Sequence, residues 1–213
     1  MPNIEEAREW YTDTDPVHDF GHIQRVYWMA EKIGSAENAD MEIVRAAALL
    51  HDAEDSAPGG DGSERANHHN ASAIFARRIL EAEGWGEESI ARVQHCIRAH
   101  RFRGKEEAPS TIEAKVIFDS DKLDVLGAVG VARTIAYAVL DHKPVYSEPS
   151  LQFIQTGKEV TGELHSSYHE YLFKLSKVKD RMFTQTGKNI ANYRHAFLVK
   201  YYERLANEMK GLD

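Results

Sequence analysis

The chain has 213 residues, 42% of them hydrophobic and 28% charged, an ordinary globular balance with enough apolar material for one sizeable core. A formal net charge of -8 argues against a broad basic face for nucleic acid, so small anionic ligands would need local cations. A single cysteine, Cys96, excludes an intrachain disulfide and reads as a small buried helix residue in a reducing interior.

No basic and apolar leader opens the chain, and no stretch approaches the ~18 apolar residues of a spanning helix, so a cytoplasmic protein with no membrane partner is expected. Asn3 and Glu6 predict a capping box that opens a short helix to about Tyr11. After the turn-rich residues 12–16, a second helix is predicted over 22–33, with Ile23, Val26, Ala30 and Ile33 on its apolar face and Gly34 as its stop. His22 lies beside that face.

Residues 40–55 are the most informative stretch. Ile43, Ala46, Ala47 and Leu50 recur at i, i+3, i+4 and i+7, the stripe of a core-facing helix with Asp40 as N-cap. His51 continues the stripe and Asp52 follows it, so an imidazole and a carboxylate meet where a helix leaves the core. An unpaired charge there is expensive to bury, and a metal cation would compensate it. The Gly-rich and Ser-containing residues 56–63 then read as a loop that either covers a site or simply connects two helices.

A fourth helix is predicted over 64–83, with Ala66, Ala73, Ala76 and Leu80 inward and with His68 and His69 in its first turns. A fifth, over 87–100, places Ile90, Val93, Ile97 and His100 on one buried stripe and turns His95 elsewhere. Arg101-Phe-Arg-Gly-Lys105 is a small basic cluster in an acidic chain. Ser110 and Glu113 predict the cap of a sixth helix over 114–124, where Asp119, Asp121 and Asp124 interrupt an apolar pattern. Asp121 and Asp124 share the face of Ile117, and carboxylates so placed need cations or donors.

Residues 127–140 are small and apolar almost all round, as in a closely packed core helix. Residues 141–162 read as a polar excursion, and 163–210 as aromatic-rich helices around a break at Gly187. No strand run and no phosphate-binding glycine motif occurs, so the fold class is all-α. One domain over 1–213 is expected, its core at about 17–140 and a C-terminal helical extension at 163–210.

Four candidate metal ligands emerge, His22, His51, Asp52 and Asp121, drawn from three helices. Two imidazoles and two carboxylates suit Mn, Fe, Co, Ni or Zn better than Mg. Such an ion keeps positions open for water and a substrate oxygen, acidifies the water and polarises a phosphoryl group. Asp52, Glu54 and Asp55 are the candidate catalytic residues, the last two to orient or deprotonate the attacking water, while Arg25, Lys122 and Arg101 are candidates for phosphate binding. His68 or His69, together with His100, can hold a second metal bridged by Asp52.

The segments His18-Asp-Phe-Gly-His-Ile-Gln-Arg-Val26, Ala48-Leu-Leu-His-Asp52 and Glu113-Ala-Lys-Val-Ile-Phe-Asp-Ser-Asp-Lys-Leu-Asp-Val-Leu-Gly-Ala-Val-Gly-Val-Ala-Arg133 resemble the HD-domain superfamily of metal-dependent phosphohydrolases. His169-Glu-Tyr-Leu-Phe-Lys-Leu175 and Met182-Phe-Thr-Gln-Thr-Gly-Lys188 extend the resemblance, to a subgroup of predicted HD hydrolases, over nearly the whole chain. The resemblance implies an all-helical HD bundle with His22 as first ligand, His51 and Asp52 as central pair and Asp121 as last. It also implies cleavage of phosphoesters or phosphoanhydrides, often of nucleotides. Members with two metals place two further histidines between the central pair and the last Asp; several compete for those places here, so one ion is the first expectation.

The expected activity is therefore metal-dependent hydrolysis of a small phosphorylated compound, a nucleotide first, in a chain compatible with a homodimer. Two other classes fit the same residues. One is an HD-type di-iron oxygenase, motivated by the spare histidines, and the other a nucleotide-binding HD module without turnover.

Overall fold

Asn3 starts the first helix as its side chain predicts: Asn3 Oδ1 accepts from the amides of Glu5 and Glu6, both at 3.0 Å, and Glu6 answers from its own carboxylate to the Asn3 amide. The structure, a computed structural model, describes residues 2–11, 20–53, 64–104 and 107–212, and every regular element among them is helical. Helix α1 (Ile4–Ala7) runs into a 3₁₀ turn, Arg8–Trp10. Helix α2 (Phe20–Ala36) continues through Gly34 where the sequence predicts a stop. The missing side chain of Gly34 makes room for Met41, whose sulfur would lie 2.8 Å from an added Cβ. Asn38 supplies the left-handed residue (φ 56°) that ends the helix instead, and the Ala39 amide closes back on the Gly34 carbonyl.

Helix α3 (Met41–Leu50) has the predicted Asp40 cap, and Ile43, Val44 and every residue from Ala46 to His51 are buried. A helix with so much of its length buried belongs inside, and α1, α2, α4 (Glu64–Ala82) and α5 (Glu87–Ala99) all pack against it. Gly84 (φ 80°) ends α4 with the same closing geometry, the Trp85 amide reaching the Leu80 carbonyl. Helix α6 (Ile112–Leu123) is capped by Thr111, whose hydroxyl accepts from the Ala114 amide, rather than by Ser110. Ser110 is taken by His95, and Glu113 accepts from the Asp40 amide, so the predicted box gives way to longer-range partners.

The backbone packs into two compact units, Met1–Asp121 with Phe183–Gly187, and Lys122–Met182 with Lys188–Asp213. In the second, α7 (Gly127–Leu140) packs against α9 (Ser167–Glu170), and Gly130 lets its backbone pass so close to Val125 that a Cβ would lie 2.2 Å from the carbonyl oxygen. The polar excursion contains a short α8 (Leu151–Thr156), and a π turn at Tyr171–Leu175 leads into α10 (Ser176–Val178). Helix α11 (Gln185–Glu208) follows, with Gly187 inside its first turn and the break before it. Of the C-terminal aromatics, Tyr171 stacks on the buried Tyr202 at 4.5 Å between ring centres, whereas Tyr193 is 83% exposed.

Asp124 is buried in this unit and pairs with Arg133. Removing one partner of a buried pair strands the other charge, so Asp124→Ala is expected to lower unfolding free energy by about 3–5 kcal/mol in urea titrations.

Candidate metal centre

His51 and His100 hold equivalent places at the C-terminal ends of α3 and α5. The last carbonyls of a helix lack amide partners, and each imidazole turns back to one. His51 Nδ1 meets the Ala48 carbonyl at 2.9 Å and His100 Nδ1 the Ile97 carbonyl at 2.5 Å. A carbonyl only accepts, so Nδ1 carries a proton in both rings, and in the neutral imidazole Nε2 is left with its lone pair. The Tyr11 hydroxyl donates to the adjacent Leu49 carbonyl at 2.8 Å, completing the end of α3.

Both Nε2 atoms converge on Asp52. His51 Nε2 lies 3.5 Å from Asp52 Oδ2 and His100 Nε2 lies 3.4 Å from Oδ1. His22, from the first turn of α2, adds its Nε2 at 3.8 Å from Oδ2, and His68, from α4, at 3.2 Å from Oδ1. Asp121 on α6 stands with Oδ1 3.5 Å from His22 Nε2. The result is two potential ligand groups, His22 with His51 and Asp52, and Asp52 with His68 and His100, the ligand atoms of each lying within 4.8 Å of one another. Asp52 belongs to both.

The four histidines are buried, while the Asp52 and Asp121 side chains keep 16% and 17% of their surface, so access lies on the carboxylate side. Burial pushes His100 down to about 4 against the opposing pull of Asp52, leaving it a neutral imidazole at neutral pH. The Asp52 carboxylate thus faces the lone pair of His100, and His51 Nε2 has no hydrogen-bond partner among the described residues. Electron pairs opposed in a buried site repel, and a divalent cation among them converts the repulsion into coordination. The donor set, imidazole nitrogen and carboxylate oxygen, fits such an ion.

The sequence pattern of the HD domain matches residues 19–126. The chain belongs to the HD-domain family. YpgQ of Bacillus subtilis is 31% identical to it over 100% of this chain and 97% of YpgQ. A crystal structure of YpgQ in complex with ADP, 32% identical, covers 99% of this chain and 100% of that one with a TM-score of 0.74. An HD-superfamily hydrolase from Bacillus thuringiensis, 28% identical, covers 97% and 96% with a TM-score of 0.69.

The HD match takes in Asp52 and the five residues gathered with it, His22, His51, His68, His100 and Asp121. His69 is buried beside His68, their rings 6.0 Å apart, but belongs to neither ligand group. The sequence favours one ion, whereas the geometry offers two groups. Arg25 is half-buried on α2, one turn after His22, and Arg101 is half-buried directly after His100. Lys122 is half-buried and falls in the second unit. Glu54 and Asp55 lie outside the described residues. His95 holds Glu107 and Ser110 rather than joining the centre, in keeping with its position off the buried stripe.

Sequence reasoning passed over Asp119, which is fully buried and bound by the backbone of Phe183 and Thr184. Its signal was its place among three aspartates in an apolar helix.

Proposed function

We propose that this HD-domain chain is a metal-dependent phosphohydrolase that cleaves a phosphoester or phosphoanhydride of a small phosphorylated compound, a nucleotide in the first instance. The observation that carries the reading is the shared carboxylate: Asp52 lies between four imidazoles, two of them with Nδ1 held by a backbone carbonyl. His22, His51, Asp52 and Asp121 would hold one ion, and Asp52, His68 and His100 a second. A bound divalent ion supplies Lewis acidity and an acidified water. Arg25 and Arg101 are assigned to phosphate oxygens, with Lys122 beside Asp121 in sequence, and Glu54 and Asp55 to orienting the attacking water. The ADP complex of YpgQ supports a nucleotide as ligand class.

The pair of groups gives an oxygen-activating di-iron centre a specific footing as second reading, since a carboxylate between two histidine sets can bridge two irons. Both readings meet one experiment. Protein stripped of metal and reloaded with Mn²⁺ is incubated with nucleoside mono-, di- and triphosphates, and products are resolved by anion exchange. Hydrolysis at least about 10³-fold above the metal-free rate is expected for one class. Equal rates with and without metal defeat the proposal, bound nucleotide without product indicates a binding module, and oxygen uptake in the iron-loaded protein without hydrolysis transfers the assignment to the oxygenase.

A further inference from the structure

Helix α6 presents Asp121 to the centre, and Asp119 two residues earlier projects about 200° away around the same helix. That back face is gripped by a segment more than sixty residues further on. Asp119 Oδ1 accepts from the Phe183 amide at 2.9 Å, and Oδ2 accepts from the Thr184 amide at 2.8 Å and the Thr184 hydroxyl at 2.7 Å. The Thr184 hydroxyl also accepts from the Gly187 amide at 2.9 Å, as an N-cap does, and Glu37 at the end of α2 accepts from the Thr186 amide at 2.7 Å. Phe183 packs edge-on against Phe118 of α6 at 4.9 Å and lies 6.4 Å from Phe102, two residues beyond His100. Gly187 is required by this closure, because a Cβ there would lie 2.3 Å from Asp119 Oδ2 and 2.7 Å from the Thr184 hydroxyl.

We infer that Phe183–Gly187 is a strap that positions the metal centre, with Asp119, Thr184 and Gly187 as positioning residues that set Asp121 through the rotation and depth of α6. The inference rests on the metal-centre reading above. It explains why Asp119, Asp121 and Asp124 sit close together at and just after the end of α6 while only Asp121 meets the candidate ligands: Asp119 is spent on the strap and Asp124 on Arg133. Four backbone amides of the strap are met by Asp119, Glu37 and Thr184, so the segment is fixed at both of its ends. A rigid helix held from behind keeps its ligand in place in front; release of the strap lets Asp121 drift from His22 without removing any ligand.

The test is Mn²⁺ titration of metal-free protein, free Mn²⁺ being read by electron paramagnetic resonance, on wild type, Gly187→Ala, Thr184→Val and Thr184→Ser. A destabilised control, Leu198→Ala in the second unit, is run beside them. Gly187→Ala and Thr184→Val are expected to bind Mn²⁺ about 10-fold more weakly with unchanged helical content. Thr184→Ser, which keeps the hydroxyl, should bind as wild type does, and so should the control despite its lower Tm. Wild-type affinity in both Gly187→Ala and Thr184→Val overturns the strap while leaving the metal centre standing. An equal loss in Leu198→Ala overturns it as well, since the effect would then follow stability. Wild type that binds no Mn²⁺ defeats the metal reading and the strap with it.

Discussion

Asp52→Asn is expected to make the metal-free protein more stable than wild type and the Mn²⁺-loaded protein less stable, an inversion readable as two crossed pairs of Tm values. Without metal, the Asp52 carboxylate faces imidazole nitrogens whose protons are committed to the carbonyls of Ala48 and Ile97. An amide in its place donates to one of those nitrogens, a gain of about 1 kcal/mol for one buried hydrogen bond. With metal, the sign reverses. Wild type gains RT ln(1 + [L]/Kd), about 2.7 kcal/mol at a hundredfold excess over Kd, and the variant gains little because both ligand groups lose their common carboxylate. Hydrolysis should fall at least about 10³-fold in the same variant. A variant that is less stable in both conditions would mean that Asp52 is a structural acceptor, and its burial among histidines would then need another cause.

Helix α3 was legible because several signals agree there: the Asp40 cap, an apolar stripe, and two residues with chemistry at its exit. His100 was legible for a related reason, since Ile90, Val93 and Ile97 aim the stripe on which it lies. What stayed hidden depends on partners remote in sequence. Gly187 looks like a helix breaker, yet it sits in the first turn of α11 because Asp119, sixty-eight positions earlier, occupies the space a side chain would need. Gly34 misleads in the same way, with Met41 as the filler. Ser110 and Thr111 both offer a hydroxyl to α6, and the choice falls to His95, which claims the first. Local pattern reports which face of a helix is buried, but not which of two adjacent polar groups finds its partner across the core.

His68 and His69 pose that problem at the centre itself, and a metal count resolves it. Adjacent residues on a helix point about 100° apart, so only one of them can look along the line to Asp52. The geometry selects His68, with Nε2 at 3.2 Å from Asp52 Oδ1 and its ring 5.8 Å from that of His100. Elemental analysis of protein loaded with Mn²⁺ and desalted is therefore expected to give about two ions per chain for wild type and for His69→Ala, and about one for His68→Ala. The ion that remains should be the one held by His22, His51 and Asp52, so His51→Ala on top of His68→Ala should bring the count to about zero. One ion in wild type, unchanged by His68→Ala, would confine coordination to the first group and leave His68 and His100 outside it. A loss in His69→Ala instead would require α4 to turn by a full residue when metal binds.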